Sequence, residues 1–241
     1  MGDTMNGGSS FSLEFMLESV PKIMAYLPVT LRLAFWAIVL GLALGFLIAL
    51  ARYFDVRVLS QVCQVFVSIV RGTPAMCQLL LVYYGVPLLL RAGGASFTVT
   101  SISPVTFAII ALGLNGAGFM SETIRSAMLS VDEGQVEACL SVNMTKWQAV
   151  WHVVLPQAFS TALAPLGNTA ISMLKDTSLV FNISVVEMMA QARIVGASAF
   201  RFFETYVVVS AIYWVCCFVL ERLIVVAERR ARRHEREVSF S

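Results

Sequence analysis

The sequence predicts an all-α membrane protein with about five transmembrane helices. Three observations carry this. The 241 residues are 58% hydrophobic and only 13% charged, with a mean hydropathy of +0.79, whereas a soluble domain is about half apolar and about a quarter charged. The apolar residues come in long runs, not in the roughly ten-residue alternations of a transmembrane barrel. Five runs approach the roughly 20 residues needed to cross a hydrocarbon core of about 30 Å.

In chain order, Met1–Ser10 is polar and Gly-rich and is expected to be disordered. Ser12–Tyr26 is expected to form a short amphipathic lead-in helix at the outer face. Pro28–Leu50 is the clearest span. Leu59–Val70 is apolar but breaks at Arg71-Gly72-Thr73-Pro74. Joined to the next run it would extend about 50 Å, too long for one crossing. It is therefore expected as a helix near the inner face, with a single long tilted helix as the alternative. Thr73 is placed to cap the following span and Pro74 to open it at N1. The remaining spans are Pro74–Leu90, Pro104–Arg125, the unusually polar Pro156–Phe181, and Glu204–Ala227. The organisation expected is a polar start (residues 1–10), a membrane domain (11–227) interrupted by the polar segment 131–156, and a basic tail (228–241).

Lys and Arg in short loops set orientation. One side collects Arg52, Arg57, Arg71, Arg125, Lys146 and the five Arg of Glu228–Glu237; the other collects Lys22, Arg91, Arg193 and Arg201. The first side is expected to be cytoplasmic, with the N-terminus outside and the tail inside. The segment Val131–Pro156, VDEGQVEACLSVNMTKWQAVWHVVLP, then lies in the cytoplasm. It reads as two short helices with a bend. Asp132 is an N-cap with Gln135 three residues on, an approximate capping box. Val136, Cys139 and Leu140 form one apolar stripe, and Met144, Trp147 and Val150-Trp151 form another. A short helix with such a stripe and a carboxylate can seat in a partner's groove.

This segment resembles the "EAA" coupling loop of ABC-importer permeases, on Gly134-Gln135, Glu137-Ala138 and the closing Leu155-Pro156-Gln157. Arg71-Gly72-Thr73-Pro74, Tyr83-Tyr84-Gly85 and Lys175-Asp176-Thr177-Ser178-Leu179 extend the resemblance to the branch that carries polar and charged amino acids, including cystine. Two positions depart from the family pattern: Cys139 stands for Ala, and Asn143 for Gly. Asn is the residue after Gly that best tolerates positive φ, so the turn is expected to persist. The resemblance implies a type I importer permease in a prokaryotic cytoplasmic (inner) membrane, paired with a second copy or a sister permease. A pair of ATPase subunits carrying MgATP would dock on Gly134, Glu137, Ala138, Asn143 and Met144. An extracytoplasmic binding protein would deliver the amino acid.

Polar groups inside spans usually face a bundle interior or a wet pathway. Asn115 and Glu122 in the third span, with Asn168, Lys175 and Asp176 in the fourth, are the candidate pathway residues. Glu122 and Arg125 are three apart and can pair on one helix face; the competing reading gives Glu122 to a substrate ammonium. Asn168 can bond substrate or a neighbouring helix. Lys175 and Asp176 are adjacent and cannot share a face. Pro165 and Gly167 are expected to loosen the fourth helix at mid-depth.

No G-x-x-x-x-G-K-[ST] stretch occurs, so ATP phosphates have no P-loop here and an enzyme is not expected. His152 and His234 are too scattered for a metal site, and the five cysteines have no metal-ligand spacing. A net charge of +2 implies no nucleic-acid partner. No basic region followed by a cleavage site marks a removable signal peptide. The alternatives are an ion-coupled secondary transporter, which would show an inverted repeat that is not evident, and a membrane scaffold.

Overall fold

The computed structural model describes residues 11–94 and 102–238, with side chains as far as residue 230. The expectation for Met1–Ser10 falls outside these residues. The helices are α1 (Leu13–Met24), α2 (Leu27–Tyr53), α3 (Arg57–Gly72), α4 (Ala75–Leu80), α5 (Val86–Ala92), α6 (Pro104–Leu129), α7 (Glu133–Ser141), α8 (Lys146–Ala149), α9 (Leu155–Asp176), α10 (Met188–Ala199) and α11 (Phe202–Val238). Among the described residues, five helical stretches are long and apolar enough to cross a membrane: Leu27–Tyr53, Ala75–Ala92, Pro104–Leu129, Lys146–Ile183 and Phe202–Arg230. The five expected spans are thus all present, with shifted ends.

The bundle is built on α2 against α6, the most extensive helix pair among the described residues. Small residues permit it. A Cβ on Gly45 would lie 3.1 Å from Met120 Cβ and from the Ser121 nitrogen, and one on Gly41 would lie 3.3 Å from the Gly113 oxygen. This is small-residue packing at four-residue spacing, which draws helices together without a hydrophobic driving force. Around it, Leu33, Leu79, Phe107 and Met120 form one buried cluster, and Ala49, Ile124, Val150 and Val154 form another nearer the Leu129 end of α6.

The second span differs from expectation. The α3 helix is no surface helix: it packs on α2 and α6, with Val70 seated over Gly118. Together α3 and α4 form one leg, broken beside the middle of α6. Thr73 and Pro74 are extended there (ψ 147° and 139°), because Pro74 offers no N–H and disfavours helical geometry at Thr73. Thr73 does not cap α4; its hydroxyl donates back to the Ile69 carbonyl at 2.8 Å. Gln78 Nε2 donates to the Val70 and Thr73 carbonyls at 2.8 and 3.0 Å. Its Oε1 accepts from Asn115 Nδ2 at 3.0 Å. Backbone freed by the break is thus satisfied inside the protein, as a span requires.

The fourth span also starts earlier than expected. A π turn at Val150–Val154 joins α8 to α9 without a gap, ahead of Pro156, which cannot donate to the His152 carbonyl. At Pro165 α9 continues as helix, although Pro165 has no N–H for the Thr161 carbonyl; the Thr169 hydroxyl donates to the Pro165 carbonyl at 3.1 Å. Gly167 makes room for Ile224 of α11. A 3₁₀ stretch, Thr177–Ile183, leads to Glu187, the N-cap of α10. That carboxylate is fully buried and accepts from Tyr213 OH at 2.7 Å, Thr30 Oγ1 at 3.3 Å and the Ala190 N–H at 2.9 Å. It ties α2, α10 and α11 together. Finally, α11 continues as helix to Val238, about 55 Å of helix against a core of about 30 Å.

Candidate functional site

Two features stand out: an open groove walled by α6 and α9, and the α7–α8 segment at the Leu129 end of α6. The groove has a volume of about 390 Å³ and is lined by Arg71, Phe119, Glu122, Thr123, Thr161 and Thr169 among others. Arg71 reaches it from the break between α3 and α4. There Arg71 shares the groove with the second half of α6, from Phe119 to Ser130 at its end.

Glu122 is held on two sides. Arg52 Nη1 lies 2.6 Å from its Oε2 and Arg125 Nη2 lies 3.3 Å from its Oε1. The expected intrahelical pair exists, but the shorter contact comes from α2, and a separation of 70 residues gave no sequence signal for it. Removing the carboxylate would leave two guanidiniums facing each other, partly shielded from water. The double-mutant cycle of Arg52→Met with Glu122→Gln should show a coupling of about 1–2 kcal/mol in thermal unfolding, below the fully buried case because all three groups retain some exposure. Additive single effects would mean that the pair contributes nothing to the fold.

The other candidate pathway residues do not converge on this groove. Asn115 is buried behind it, engaged by Gln78. Asn168 is exposed on α9, with no hydrogen bond among the described residues. Lys175 lines a second groove, about 490 Å³, between α9 and α11 with Ser178, Tyr213 and Cys217. Asp176, adjacent to Lys175, is half-buried and does not line that groove, consistent with the different faces that neighbours on a helix take. Buried Glu187 and its partners Thr30 and Tyr213 escaped sequence reading altogether, since the three are far apart in the chain.

In the α7–α8 segment, Asp132 Oδ1 accepts from the Gly134 N–H at 2.7 Å, so no capping box forms with Gln135. The box sits instead at Thr145 and Gln148, which secure α8. Asn143 makes the bend at φ 65°, the left-handed geometry foreseen for it. The first apolar stripe splits. Val136 and Cys139 turn toward the bundle. Gly134, Glu137 and Ala138 are exposed, with Leu140 at 42% and Val142 at 72% exposure. Met144 is half-buried. Aromatic contacts fix α8 to the end of α2: Trp147 lies 5.2 Å from Phe54 and 5.6 Å from Trp151, and Trp151 lies 6.3 Å from Phe46. The arrangement presents α7 outward on a firm mount whose helix also walls the groove. Among the described residues, no group of three or more His, Cys, Asp or Glu could hold a metal ion.

The family described as "Binding-protein-dependent transport system inner membrane component" matches residues 22–233. The probable amino-acid ABC transporter permease protein PatM of Vibrio harveyi is 41% identical over 223 residues, covering 92% of this chain and 97% of that one. The L-cystine transport system permease protein TcyL of Bacillus subtilis is 34% identical over 229 residues, 95% of each. The crystal structure of an amino acid ABC transporter with histidines superimposes with a TM-score of 0.79 at 33% identity, covering 91% of this chain and 100% of that one. An inward-facing structure of the MetNI methionine ABC transporter shares the fold, with a TM-score of 0.64 at 18% identity over 91% of this chain and 97% of that one. The expected type I permease fold is therefore present, on a chain whose relatives are transport subunits rather than enzymes. With the groove, the mounted segment and a match across most of its length, the chain belongs to the binding-protein-dependent transport system inner membrane components.

Proposed function

We propose that this chain is the transmembrane subunit of an ATP-driven importer that moves an amino acid (polar, charged or cystine-like) across the cytoplasmic membrane by alternating access. The observation that carries the reading is one continuous helix, from Lys146 through the π turn into α9. It joins the outward-facing α7–α8 segment to the wall of a polar groove. The amino-acid and L-cystine permease relatives support the substrate class.

In this reading MgATP binds a pair of ATPase subunits, and Gly134, Glu137, Ala138, Asn143 and Met144 form the docking site for one of them. A second permease copy or a sister permease completes the pathway, and an extracytoplasmic binding protein supplies the amino acid. Lipid covers the remaining apolar surface, including the exposed Val58, Val62, Val65 and Ile69 of α3. Arg52, Arg57, Arg125, Lys146 and the basic end of α11 put the Leu129 end of α6 in the cytoplasm, with the N-terminus outside. Residues 11–227 act as the permease domain and 228–241 as its cytoplasmic tail. Glu122 faces the pathway at the groove. Asn115 supports the wall behind it, and Asn168, Lys175 and Asp176 serve other stretches of the route or its outer gate.

The test is ATPase activity in nanodiscs holding this chain, its ATPase, any sister permease and the binding protein, with each of the twenty amino acids and cystine. Stimulation by a narrow set supports the importer reading. Failure of any ATPase to co-purify, with uptake following an ion gradient instead, overturns it.

A further inference from the structure

The groove is chemically lopsided. Glu122 already faces two guanidiniums, Arg52 and Arg125, so the three carry a net positive charge. Arg71, the other ionic side chain lining the groove, is exposed and has no hydrogen bond or ion pair among the described residues. The rest of the polar lining is hydroxyl. Thr123 donates to the Phe119 carbonyl at 3.2 Å, Ser130 to Ala127 at 2.8 Å, Thr161 to Gln157 at 3.4 Å and Thr169 to Pro165 at 3.1 Å. Each of these four hydroxyls spends its only proton on its own helix and keeps oxygen lone pairs for the groove, while Ser126, which also lines it, makes no side-chain hydrogen bond among the described residues and keeps its proton as well. The site therefore holds one unmatched cation and several acceptors.

From this juxtaposition we infer that Arg71 holds the carboxylate of the transported amino acid, and that the groove takes zwitterions with a neutral, hydrogen-bonding side chain in preference to basic ones. The inference rests on the importer reading above. The guanidinium fork matches a carboxylate in two parallel bonds. The ammonium and any side-chain N–H groups go to the hydroxyl oxygens and to the remaining lone pairs of Glu122. A lysine or arginine side chain would bring a second positive charge to a place where three guanidiniums already outnumber one carboxylate.

The first arm of the test reads groove charge without any substrate. A Thr123→Cys reporter is placed in the full complex with Cys77, Cys216 and Cys217 replaced by alanine, leaving the buried Cys63 and Cys139. Anionic (sulfonatoethyl) and cationic (trimethylammonium-ethyl) methanethiosulfonates are compared, each normalised to its rate on a free thiol. The anionic reagent should be favoured at least tenfold, and Arg71→Gln should largely remove that preference while Arg71→Lys retains it. A ratio indifferent to Arg71 overturns the inference. The second arm is stimulated ATPase and uptake with L-glutamine, L-glutamate, L-arginine and L-lysine. L-glutamine should be favoured over the two basic amino acids at least tenfold, with L-glutamate the anionic comparison, and Arg71→Gln should raise the half-saturating concentration at least tenfold, partly rescued by Arg71→Lys. Preference for the basic pair, or an unchanged half-saturation in Arg71→Gln, overturns the inference while leaving the importer reading standing. Silence of the wild-type complex to all twenty amino acids and cystine sinks both readings, and the first arm still reports the charge.

Discussion

Gly45→Leu should lower the thermal midpoint of the purified protein by roughly 10 °C, the equivalent of about 3 kcal/mol for a chain of this size. The cause is local and steric. At Gly45 even a Cβ would meet Met120 Cβ and the Ser121 nitrogen at 3.1 Å and the Ala117 oxygen at 3.2 Å. Two of these three atoms are backbone and cannot rotate away. A whole leucine must therefore push α2 off α6, and Gly41, one turn earlier on the same face, loses its contact with Gly113 as well. Gly85→Leu is the control, because nothing lies within 4 Å of the position its Cβ would take. Tryptophan fluorescence or size-exclusion thermostability reads both variants. A Gly45→Leu protein within about 2 °C of wild type would mean that α2 and α6 adjust easily and that their close approach is not what holds the bundle.

Glu137→Lys should reduce amino-acid-stimulated ATPase activity at least tenfold, about 1.4 kcal/mol of coupling, with the thermal midpoint unchanged. The two readouts separate because of where the residue sits. Glu137 is exposed on α7, and its carboxylate has no partner among the described residues, so the isolated fold does not depend on it. A docking partner would meet it beside Leu140 and Val142, and reversing a charge at a desolvated contact costs several-fold to many-fold in affinity. Glu133→Lys, at the first turn of the same helix, should have the smaller effect. Normal stimulation in Glu137→Lys would remove Glu137 from the docking surface.

The spans were legible because membrane crossing is a property of composition over some 20 residues, and a composition needs no partner to be read. Boundaries set by a single residue were less secure. Pro156 looked like a helix start, since proline is welcome at N1; the wider π turn ahead of it let the helix begin ten residues earlier. Arg71 looked interfacial, because a cation normally marks the membrane edge. The structure adds a protein-lined groove to that, which the charge alone did not announce. The GxxxG spacing at Gly41 and Gly45 was present in the sequence but silent, for glycines at that spacing do not name the helix they will face. Least legible were Arg52 with Glu122, Gln78 with Asn115, and Glu187 with Thr30 and Tyr213. Each joins helices distant in the chain, and periodicity within one helix carries no information about another. Asn143 was the opposite case. Its backbone demand is local, and the left-handed bend followed from the glycine that the resembled family has there and from the tolerance of Asn for positive φ.

The unbroken run from Lys146 to Asp176 has a mechanical meaning. It is a lever without an elbow, about 45 Å long. A tilt of about 10° imposed at its α8 end would carry the far end through roughly 8 Å by the geometry of a rod that long. Thr161 and Thr169, part-way along, would sweep by intermediate amounts and carry one wall of the groove with them. Two places in it are compliant: the π turn at Val150–Val154, beside the grip, and Pro165, which has no N–H to donate to the Thr161 carbonyl. Stiffness there sets how much of a nucleotide-driven stroke is delivered and how much is lost as bending.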